Sequence, residues 1–414
     1  MDYELVHFSL KLKMGVQLDK IFDAVAGNTI FNNKFILQTN HSPENIPHRD
    51  KQIEQVASIL APALRGDRTS NLFIYGQTGT GKTLTAHYVK NELMKRAEKE
   101  NLPLKIEYLN CKLRKVSDTE YRILAELIKK LGGSVPATGL PTEQVYNKFI
   151  EIIEKDKKAV ILILDEVDQA VRKISDNFLY NLTRLNSELS QTHISLVGIS
   201  NDLKFLESLD PRVRSSLGEE EIVFSPYNAL QLQEILKDRA EKAFKTGILE
   251  DGVISKCAAY AAREHGDARR ALDLLRIAGE LAEREGSVKV KIEHVDKANE
   301  KIDRDKILDI VESAPKQFQI ALLSIIQLTE SKESDQIFTG DVYNIYNELC
   351  QKCKTEILTQ RRVSDIIAEI DMLGLINARV VSKGRHGRTK EIKLSVPENI
   401  LAKVKALLNE SLEI

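Results

Sequence analysis

The stretch Gly76-Gln77-Thr78-Gly79-Thr80-Gly81-Lys82-Thr83 decides how this chain folds. It matches the pattern GxxxxGK[ST] at every fixed position, follows the apolar run Leu72–Tyr75 and precedes a helical pattern over Thr83–Glu98. Glycines let backbone N–H groups turn inward around phosphate oxygens, and the N-terminus of the next helix adds a favourable dipole. The stretch therefore predicts a phosphate-binding loop, with the nucleotide held by Gly76, Thr78, Gly79, Thr80, Gly81, Lys82 and Thr83.

Two further strand ends carry polar groups that suit the same site. In the loop itself, Lys82 would bind the β- and γ-phosphates and the Thr83 hydroxyl would ligate Mg²⁺. The apolar run Ile161–Leu164 ends in Asp165, a second expected Mg²⁺ ligand, and in Glu166, placed to orient or deprotonate an attacking water. Another apolar run, Ile194–Ser200, ends at Asn201, whose amide could bind a γ-phosphate or the water; Asp168 reads only as a surface or helix-capping residue.

Apolar runs alternate with helical patterns through roughly the first 225 residues, which is typical of a parallel sheet covered on both faces. Strand signals then stop: Asn228 and Gln231 form a capping box that opens a helical unit, and a charged stretch, Lys301–Lys306, leads toward Pro315. Three helical segments followed by two alternating runs close the chain. The sequence thus predicts an α/β nucleotide-binding core at 1–225, a helical lid at 226–305 and a winged helix at 306–414.

Composition limits the classes of function. The 414 residues carry 60 Lys and Arg against 61 Asp and Glu, a net charge of −1, so attraction to nucleic acid must come from local clusters. The longest strongly apolar run, Ala159–Leu164, is far short of the ~20 residues that span a bilayer. We therefore expect a multidomain cytoplasmic protein with no membrane partner.

The phosphate-binding loop, the Asp-Glu strand, the strand-final asparagine and the helical lid together resemble the AAA+ ATPases. That resemblance implies catalytic roles for Lys82 and Glu166, makes Asn201 the first sensor, and identifies Arg269, with Arg270 as the second choice, as a lid arginine that reaches the γ-phosphate. It also implies ATP/ADP and Mg²⁺ as cofactors.

More of the chain, about residues 15 to 410, resembles the archaeal origin-recognition and cell-division-control replication initiators, relatives of eukaryotic origin-recognition subunit 1. Pro47, His48 and Arg49 match that group's adenine-side box, and Tyr227 and Arg239 match its lid contacts to the nucleotide. Residues 110–131 would be its helical insertion used on DNA. The resemblance implies double-stranded origin DNA, the replicative helicase and other initiator paralogues as partners, and association with the nucleoid.

Basic residues cluster in the predicted winged helix. The stretch 379–393 holds six Lys and Arg against Glu391, and its glycine-flanked tip is narrow enough for a minor groove. The helix that begins at Thr359 presents basic residues at its N-terminal end, which a recognition helix presents to the major groove. The expected DNA contacts are Arg361, Arg362, Lys383, Arg385, His386 and Arg388.

Two rival functions and one residue assignment remain open. A clamp-loader-type ATPase would lack sequence-specific DNA recognition, and a transcriptional switch would bind operators and use ATP only for regulation. Eukaryotic relatives of the initiators carry an arginine finger where this chain has Ser216, so Arg212 or Arg214 either replaces it or is structural. Hydrolysis by the isolated chain is therefore expected to be slow.

Overall fold

The computed structural model describes residues 29–39, 41, 43, 45–112, 119–136, 139–156, 159–331, 337–382 and 388–414. They form two compact units, Met1–Val295 and Asp296–Ile414. The first unit holds the predicted core and most of the predicted lid, whose residues 296–305 belong to the second unit. Among the described residues, no helix is long and apolar enough to cross a membrane.

The first unit is built on a parallel sheet, as the apolar runs predict. Within its described residues five strands pair in the order β2-β3-β4-β1-β5: Asn71–Gly76 (β1), Leu104–Asn110 (β2), Ala159–Asp165 (β3), Ile194–Ser200 (β4) and Glu219–Phe224 (β5). Every residue of β1, β3 and β4 is buried, because helices pack on both faces of the sheet. The carboxyl ends of β1, β3 and β4 therefore meet along one edge, where a site can form.

Helices of the core cover this sheet. Asp50–Leu60 (α1) and Lys82–Glu100 (α2) flank the phosphate-binding loop, and further helices fill the connections between strands. They are Glu120–Lys130 (α3), Thr142–Asp156 (α4), Val167–Lys173 (α5), Asn177–Arg184 (α6) and Pro211–Leu217 (α7).

The lid is entirely helical, as expected. Its helices are Ala229–Ala243 (α8), Val253–Arg263 (α9) and Ala268–Arg284 (α10). The predicted capping box is present: Gln231 N donates to Asn228 Oδ1 at 2.9 Å and Asn228 N donates to Gln231 Oε1 at 3.0 Å.

The next helix includes the charged stretch that leads toward Pro315. Ile292–Ser313 (α11) runs straight through residues 301–306 and past 305, the expected end of the lid. The sequence from Ile292 to Ser313 contains no glycine or proline, so nothing interrupts the helix, and its charges lie on a solvated surface. The helix ends just before Pro315, where the chain cannot continue it.

The second unit has the order of a winged helix. Lys316–Ser331 (α12), Thr339–Lys352 (α13) and Gln360–Met372 (α14) precede an antiparallel hairpin of Ile376–Ser382 (β7) and Arg388–Leu394 (β8). A short strand, Ile337–Phe338 (β6), adds to β8, and Glu398–Leu412 (α15) packs behind α12. Neither β6 nor α15 was predicted from the sequence.

Candidate nucleotide site and nucleic-acid surface

A cavity of about 540 Å³ lies at the carboxyl edge of the parallel sheet, between core and lid. Most of the residues expected to bind or hydrolyse a nucleotide line it: Pro47, Thr78, Gly79, Gly81, Lys82, Thr83, Asp165, Glu166, Asn201, Tyr227, Arg239 and Arg269. His48, Arg49, Gly76 and Thr80 are not among its lining residues and lie behind that surface. Residues distant in sequence thus converge on one cleft of the size of a small-molecule site.

Lys82 is a buried cation of the cleft. Its ammonium donates to the carbonyls of Gly76 (2.7 Å) and Gln77 (2.8 Å) and to Asn201 Oδ1 (2.8 Å), and only 5% of the residue is exposed. Burial lowers the pKa of Lys82 to about 8, with Arg269 adding repulsion and the carboxylate of Asp165 opposing the shift. A phosphate in the cleft would supply the negative charge that balances this buried ammonium.

Asp165 and Thr83 form an oxygen pair at the end of β3. Thr83 Oγ1 donates to Asp165 Oδ2 at 2.9 Å, and the backbone N–H of Glu166 donates to Asp165 Oδ1 at 2.9 Å. Mg²⁺ prefers a few carboxylate or hydroxyl oxygens together with substrate phosphates and water. A carboxylate and a hydroxyl that both face the cleft beside the phosphate-binding loop fit that preference.

Glu166 is held in an unusual backbone conformation. Its φ of 53° and ψ of 42° are left-handed, which costs a residue with a side chain about 1–2 kcal/mol. The turn starts α5 directly after the buried strand and leaves the carboxylate on the cleft wall, where Lys112 Nζ lies 3.6 Å from Oε2. This position suits a group that orients or deprotonates a water.

Arg49 braces the phosphate-binding loop from behind. Its Nε donates to Thr80 O at 2.9 Å, its Nη2 donates to Ser225 O at 2.6 Å, and its guanidinium lies 3.9 Å from the centre of the Tyr227 ring. These contacts fix the loop against the entry to the lid. The neighbouring His48 has a positive φ of 63° and places Nε2 2.9 Å from Glu234 Oε2 on α8.

The two candidate sensor arginines, at the lid end of the cleft, have different surroundings. Arg269 lines the cavity, and no hydrogen bond or ion pair of its side chain is found among the described residues. Arg270 instead places Nη2 2.8 Å from Glu264 Oε1 and is nearly buried. Arg269 is therefore the arginine available to a bound phosphate.

The N-terminal segment, residues 29–46 as far as they are described, packs against the lid and reaches the cleft. Asn32 N donates to Ala243 O at 2.8 Å, the rings of Phe31 and Phe244 lie 4.6 Å apart, and Arg239 Nη1 donates to Ile36 O at 3.2 Å. Burial lowers the pKa of Arg239, which also lines the cavity. Further residues of the N-terminal segment line the cleft: Gln38, Thr39, His41, Pro43, Asn45 and Ile46.

The arginine-finger region lies apart from this cleft. Ser216 donates internally to Val213 O at 2.7 Å, and Arg212 places Nε 3.1 Å from Asp210 Oδ1 on the surface. Arg214 lines a separate surface depression together with Pro211 and Glu219. The choice between Arg212 and Arg214 stays a prediction.

A basic groove marks the predicted nucleic-acid surface of the second unit. It has a volume of about 430 Å³ and lies between the N-terminal end of α14 and the hairpin; its walls are Thr339, Gln360, Arg361, Ser364, Val380, Thr389 and Lys390. Arg361 and Arg362 are both exposed, and Arg362 Nη1 lies 3.8 Å from Asp365 Oδ2. Lys383, Arg385 and His386 lie outside the described residues, and for Arg388 only the backbone, at the start of β8, is described.

Two residues that support the site, Tyr108 and Asp267, were not singled out from sequence, and a third, Asp168, was expected at the surface or as a helix cap. Tyr108 donates to Asp165, Asp267 caps α10 beneath Arg269, and Asp168 is buried and accepts a hydrogen bond from Ser200 at 3.1 Å rather than facing solvent. A polar residue near the end of a strand, and an Asp before a helix, are the signals that could have found Tyr108 and Asp267.

Three family models match successive parts of the chain. An AAA domain matches residues 65–206, a Cdc6 AAA+ ATPase-type lid domain matches 233–300, and a CDC6 C-terminal winged helix domain matches 309–404. These matches confirm the fold class expected from sequence.

Two curated relatives are ORC1-type DNA replication proteins. That of Pyrococcus furiosus is 52% identical over 92% of this chain and 91% of its own length, and that of Methanosarcina acetivorans is 50% identical over 94% and 93%. A solved structure of the Aeropyrum pernix ORC1 protein in complex with DNA is similar over 92% of this chain and 97% of its own, with 43% identity and a TM-score of 0.81. A. pernix ORC2, solved as ADPNP-ADP complexes, has 21% identity and a TM-score of 0.58 and supports the fold alone. With half of its residues identical over nine-tenths of its length, this chain belongs to the ORC1-type DNA replication proteins, a family of AAA+ ATPases with a C-terminal winged helix.

Proposed function

We propose that this chain is an ATP-dependent replication initiator that binds double-stranded origin DNA and helps to load the replicative helicase. The observation that carries the proposal is the joint presence, in one ORC1-type chain, of a cleft that gathers the expected nucleotide-binding residues and a basic winged-helix groove. ATP would be the ligand of the first and DNA the ligand of the second.

The cleft supports in-line attack of water on the γ-phosphorus. Glu166 orients the water and accepts its proton, while Lys82 and Arg269 stabilise the charge that develops on the phosphoryl oxygens. Asn201, already 2.8 Å from the Lys82 ammonium, is placed to sense the γ-phosphate. Thr83 and Asp165 would hold Mg²⁺, which offsets phosphate charge and polarises the γ-phosphoryl group.

Hydrolysis acts as a slow switch in this proposal. Arg269 reaches the cleft from the lid, so its contact with a γ-phosphate would hold lid and core together, and loss of that phosphate would release them. Turnover is slow because Ser216, at the position of the eukaryotic relatives' arginine finger, donates a hydrogen bond within its own helix and offers no cation to a neighbour.

DNA binding would use two surfaces. The recognition helix and wing would contribute Arg361, Arg362, Lys383, Arg385, His386 and Arg388, and the insertion within residues 110–131 would add contacts from the core. The A. pernix ORC1 protein, 43% identical, was solved in complex with DNA, which supports this assignment.

Footprinting on genomic DNA tests the proposal, with ATP, with ADP, and with the Lys82→Ala variant. Protection confined to origin repeats, and altered by the nucleotide, is the expected result. Protection without sequence preference would favour a clamp-loader-type ATPase, and protection of promoters alone would favour a transcriptional switch; either would overturn the proposal.

The proposed partners need a separate assay. Purified chain on origin DNA is incubated with the replicative helicase and ATP, and salt-resistant helicase on the DNA is counted. We expect loading to require an intact Lys82 and to be shared with initiator paralogues where these exist. A nucleoid-associated position in the cytoplasm follows from this function and is checked by imaging the tagged chain.

A further inference from the structure

The carboxylate of Asp165 receives a donor that the sequence pattern does not include. Tyr108 OH donates to Asp165 Oδ2 at 2.7 Å, and Thr83 Oγ1 donates to the same oxygen at 2.9 Å. The Glu166 N–H donates to the other oxygen. Three donors from three elements therefore fix the rotation of one buried carboxylate.

Tyr108 occupies a position that the sheet makes rigid. It lies on β2, beside β3, in register with Ile163, two residues before the pair of Asn110 and Asp165. Its ring also packs on His87 of α2, with 4.2 Å between ring centres. A phenolic hydroxyl carries its proton at neutral pH, so it acts as the donor to the carboxylate.

We propose that Tyr108 is a positioning residue of the Mg²⁺ site, because its hydroxyl holds the Asp165 carboxylate in the orientation that ligates the metal. The inference rests on the proposed function, since it assumes that Asp165 and Thr83 bind Mg²⁺ with the nucleotide. Groups that orient a metal ligand without touching the metal commonly contribute about 10- to 100-fold to metal affinity. Tyr108 does not contact the nucleotide cavity itself, so its effect on the metal passes through Asp165.

The chain offers a matched control in Tyr146. Its hydroxyl also donates to a carboxylate, Glu120 Oε1, and it too is partly buried within the core. Neither Tyr146 nor Glu120 lines the nucleotide cavity. Tyr108→Phe and Tyr146→Phe therefore remove the same hydroxyl from the same kind of hydrogen bond, one at the metal site and one away from it.

The experiment measures the Mg²⁺ concentration at half-maximal tightening of a fluorescent ADP analogue, for the full chain and each variant. Asp165→Asn serves as the variant that removes the ligand. For Tyr108→Phe we expect a rise in the Mg²⁺ midpoint of about tenfold, with ADP affinity in excess chelator unchanged. Tyr146→Phe should leave the midpoint at the wild-type value, although both phenylalanine variants melt at a lower temperature.

Two results would overturn the inference, and they differ. If Tyr108→Phe keeps the wild-type midpoint and only melts earlier, like Tyr146→Phe, the residue is merely structural and the proposed function stands. If the wild type itself binds ADP independently of Mg²⁺, or Asp165→Asn leaves its midpoint unchanged, the metal assignment fails, and the role of Tyr108 fails with it.

Discussion

Gly79 of the phosphate-binding loop lies so close to Asp267 of the lid that a Cβ atom added at position 79 would come within 1.7 Å of Asp267 Oδ1. The same Oδ1 accepts the N–H of Arg269 at 2.7 Å and so caps α10. The N–H of Ala268 in turn donates to Gly79 O at 3.3 Å. The loop that binds phosphate and the helix that carries the sensor arginine thus touch directly, with no side chain at position 79 between them.

Gly79→Ala should weaken nucleotide binding strongly. The new methyl group cannot coexist with the Asp267 carboxylate, and the φ of 70° at position 79 also disfavours any residue with a side chain. Either the loop or the start of α10 must move, and each movement displaces Arg269 from the phosphate. We expect ATP affinity to fall by at least about tenfold, equivalent to about 1.4 kcal/mol, as measured by calorimetric titration.

Gly286→Ala is the control that distinguishes backbone strain at a positive φ from a steric clash with Asp267. Gly286 has nearly the same φ, 67°, but a Cβ there would meet no atom within 4 Å. Its replacement should cost about 1 kcal/mol of folding free energy and leave ATP affinity unchanged. Equal affinities for the two alanine variants would show that contact between Gly79 and Asp267 has no role in binding.

Arg269 and Arg270 should give opposite phenotypes on truncation to alanine. Arg269 faces the cavity, so its loss should slow ATP hydrolysis by roughly 10²-fold or more while the melting temperature stays within about a degree. Arg270 is nearly buried and paired with Glu264, so its loss leaves that carboxylate without its partner and should lower the melting temperature while sparing hydrolysis. Single-turnover hydrolysis and calorimetric melting distinguish them; an exchange of the two phenotypes would reverse the sensor assignment.

The sequence was most informative where one local pattern determines the backbone. The loop 76–83 and the strand before Asp165 combine apolar burial with polar residues at fixed spacing, so the strand and the turn could be predicted together, while the ligands stay a prediction. The capping box at Asn228 and Gln231 was equally local.

The sequence was least informative where a contact joins distant segments. Neither the hydrogen bond from Tyr108 to Asp165 nor the close approach of Gly79 to Asp267 leaves a periodic pattern in the sequence. Each depends on how the strands and the lid pack in three dimensions. Arg49 shows the same limit: its guanidinium lies between Thr80 O and the Tyr227 ring, and its local motif does not indicate either contact. Its contact with a nucleotide stays a prediction.

Nucleotide affinity should decline in mildly alkaline solution because of Lys82. Its pKa in the free protein is about 8, below the usual value for lysine, and the charged form binds phosphate. Affinity is therefore fully present below that pH and falls as the pH rises through it, by up to tenfold per unit, until the pKa of the complex is reached. ADP titrations between about pH 7.5 and 9.5, where the phosphates are already ionised, measure the decline.

Lys82→Arg is the control for this titration. A guanidinium stays protonated throughout that range, so the variant should bind ADP more weakly but with a flat pH profile. A decline of equal slope in both proteins would assign the titration to another group.

Arg361→Ala should weaken DNA binding and reduce its salt dependence. The side chain is exposed at the N-terminal end of α14 and lines the basic groove with Val380 and Lys390. Each lost phosphate contact lowers the slope of log affinity against log salt by about one. Fluorescence anisotropy with duplex DNA over a range of salt concentrations measures that slope, and Arg385→Ala with Arg388→Ala, in the wing that the sequence predicts, should reduce it by about two.

Lys403→Ala is the control for the loss of one positive charge outside the groove. Lys403 lies exposed on α15 in the same unit but does not line the groove, so its removal changes net charge equally without removing a proposed DNA contact. Its salt slope should match that of the wild type. Because the chain as a whole carries a net charge of only −1, bulk attraction cannot substitute for the placed cations. If Lys403→Ala and Arg361→Ala lowered the slope alike, affinity would depend on overall charge, and the groove between α14 and the hairpin would not be the DNA-binding surface.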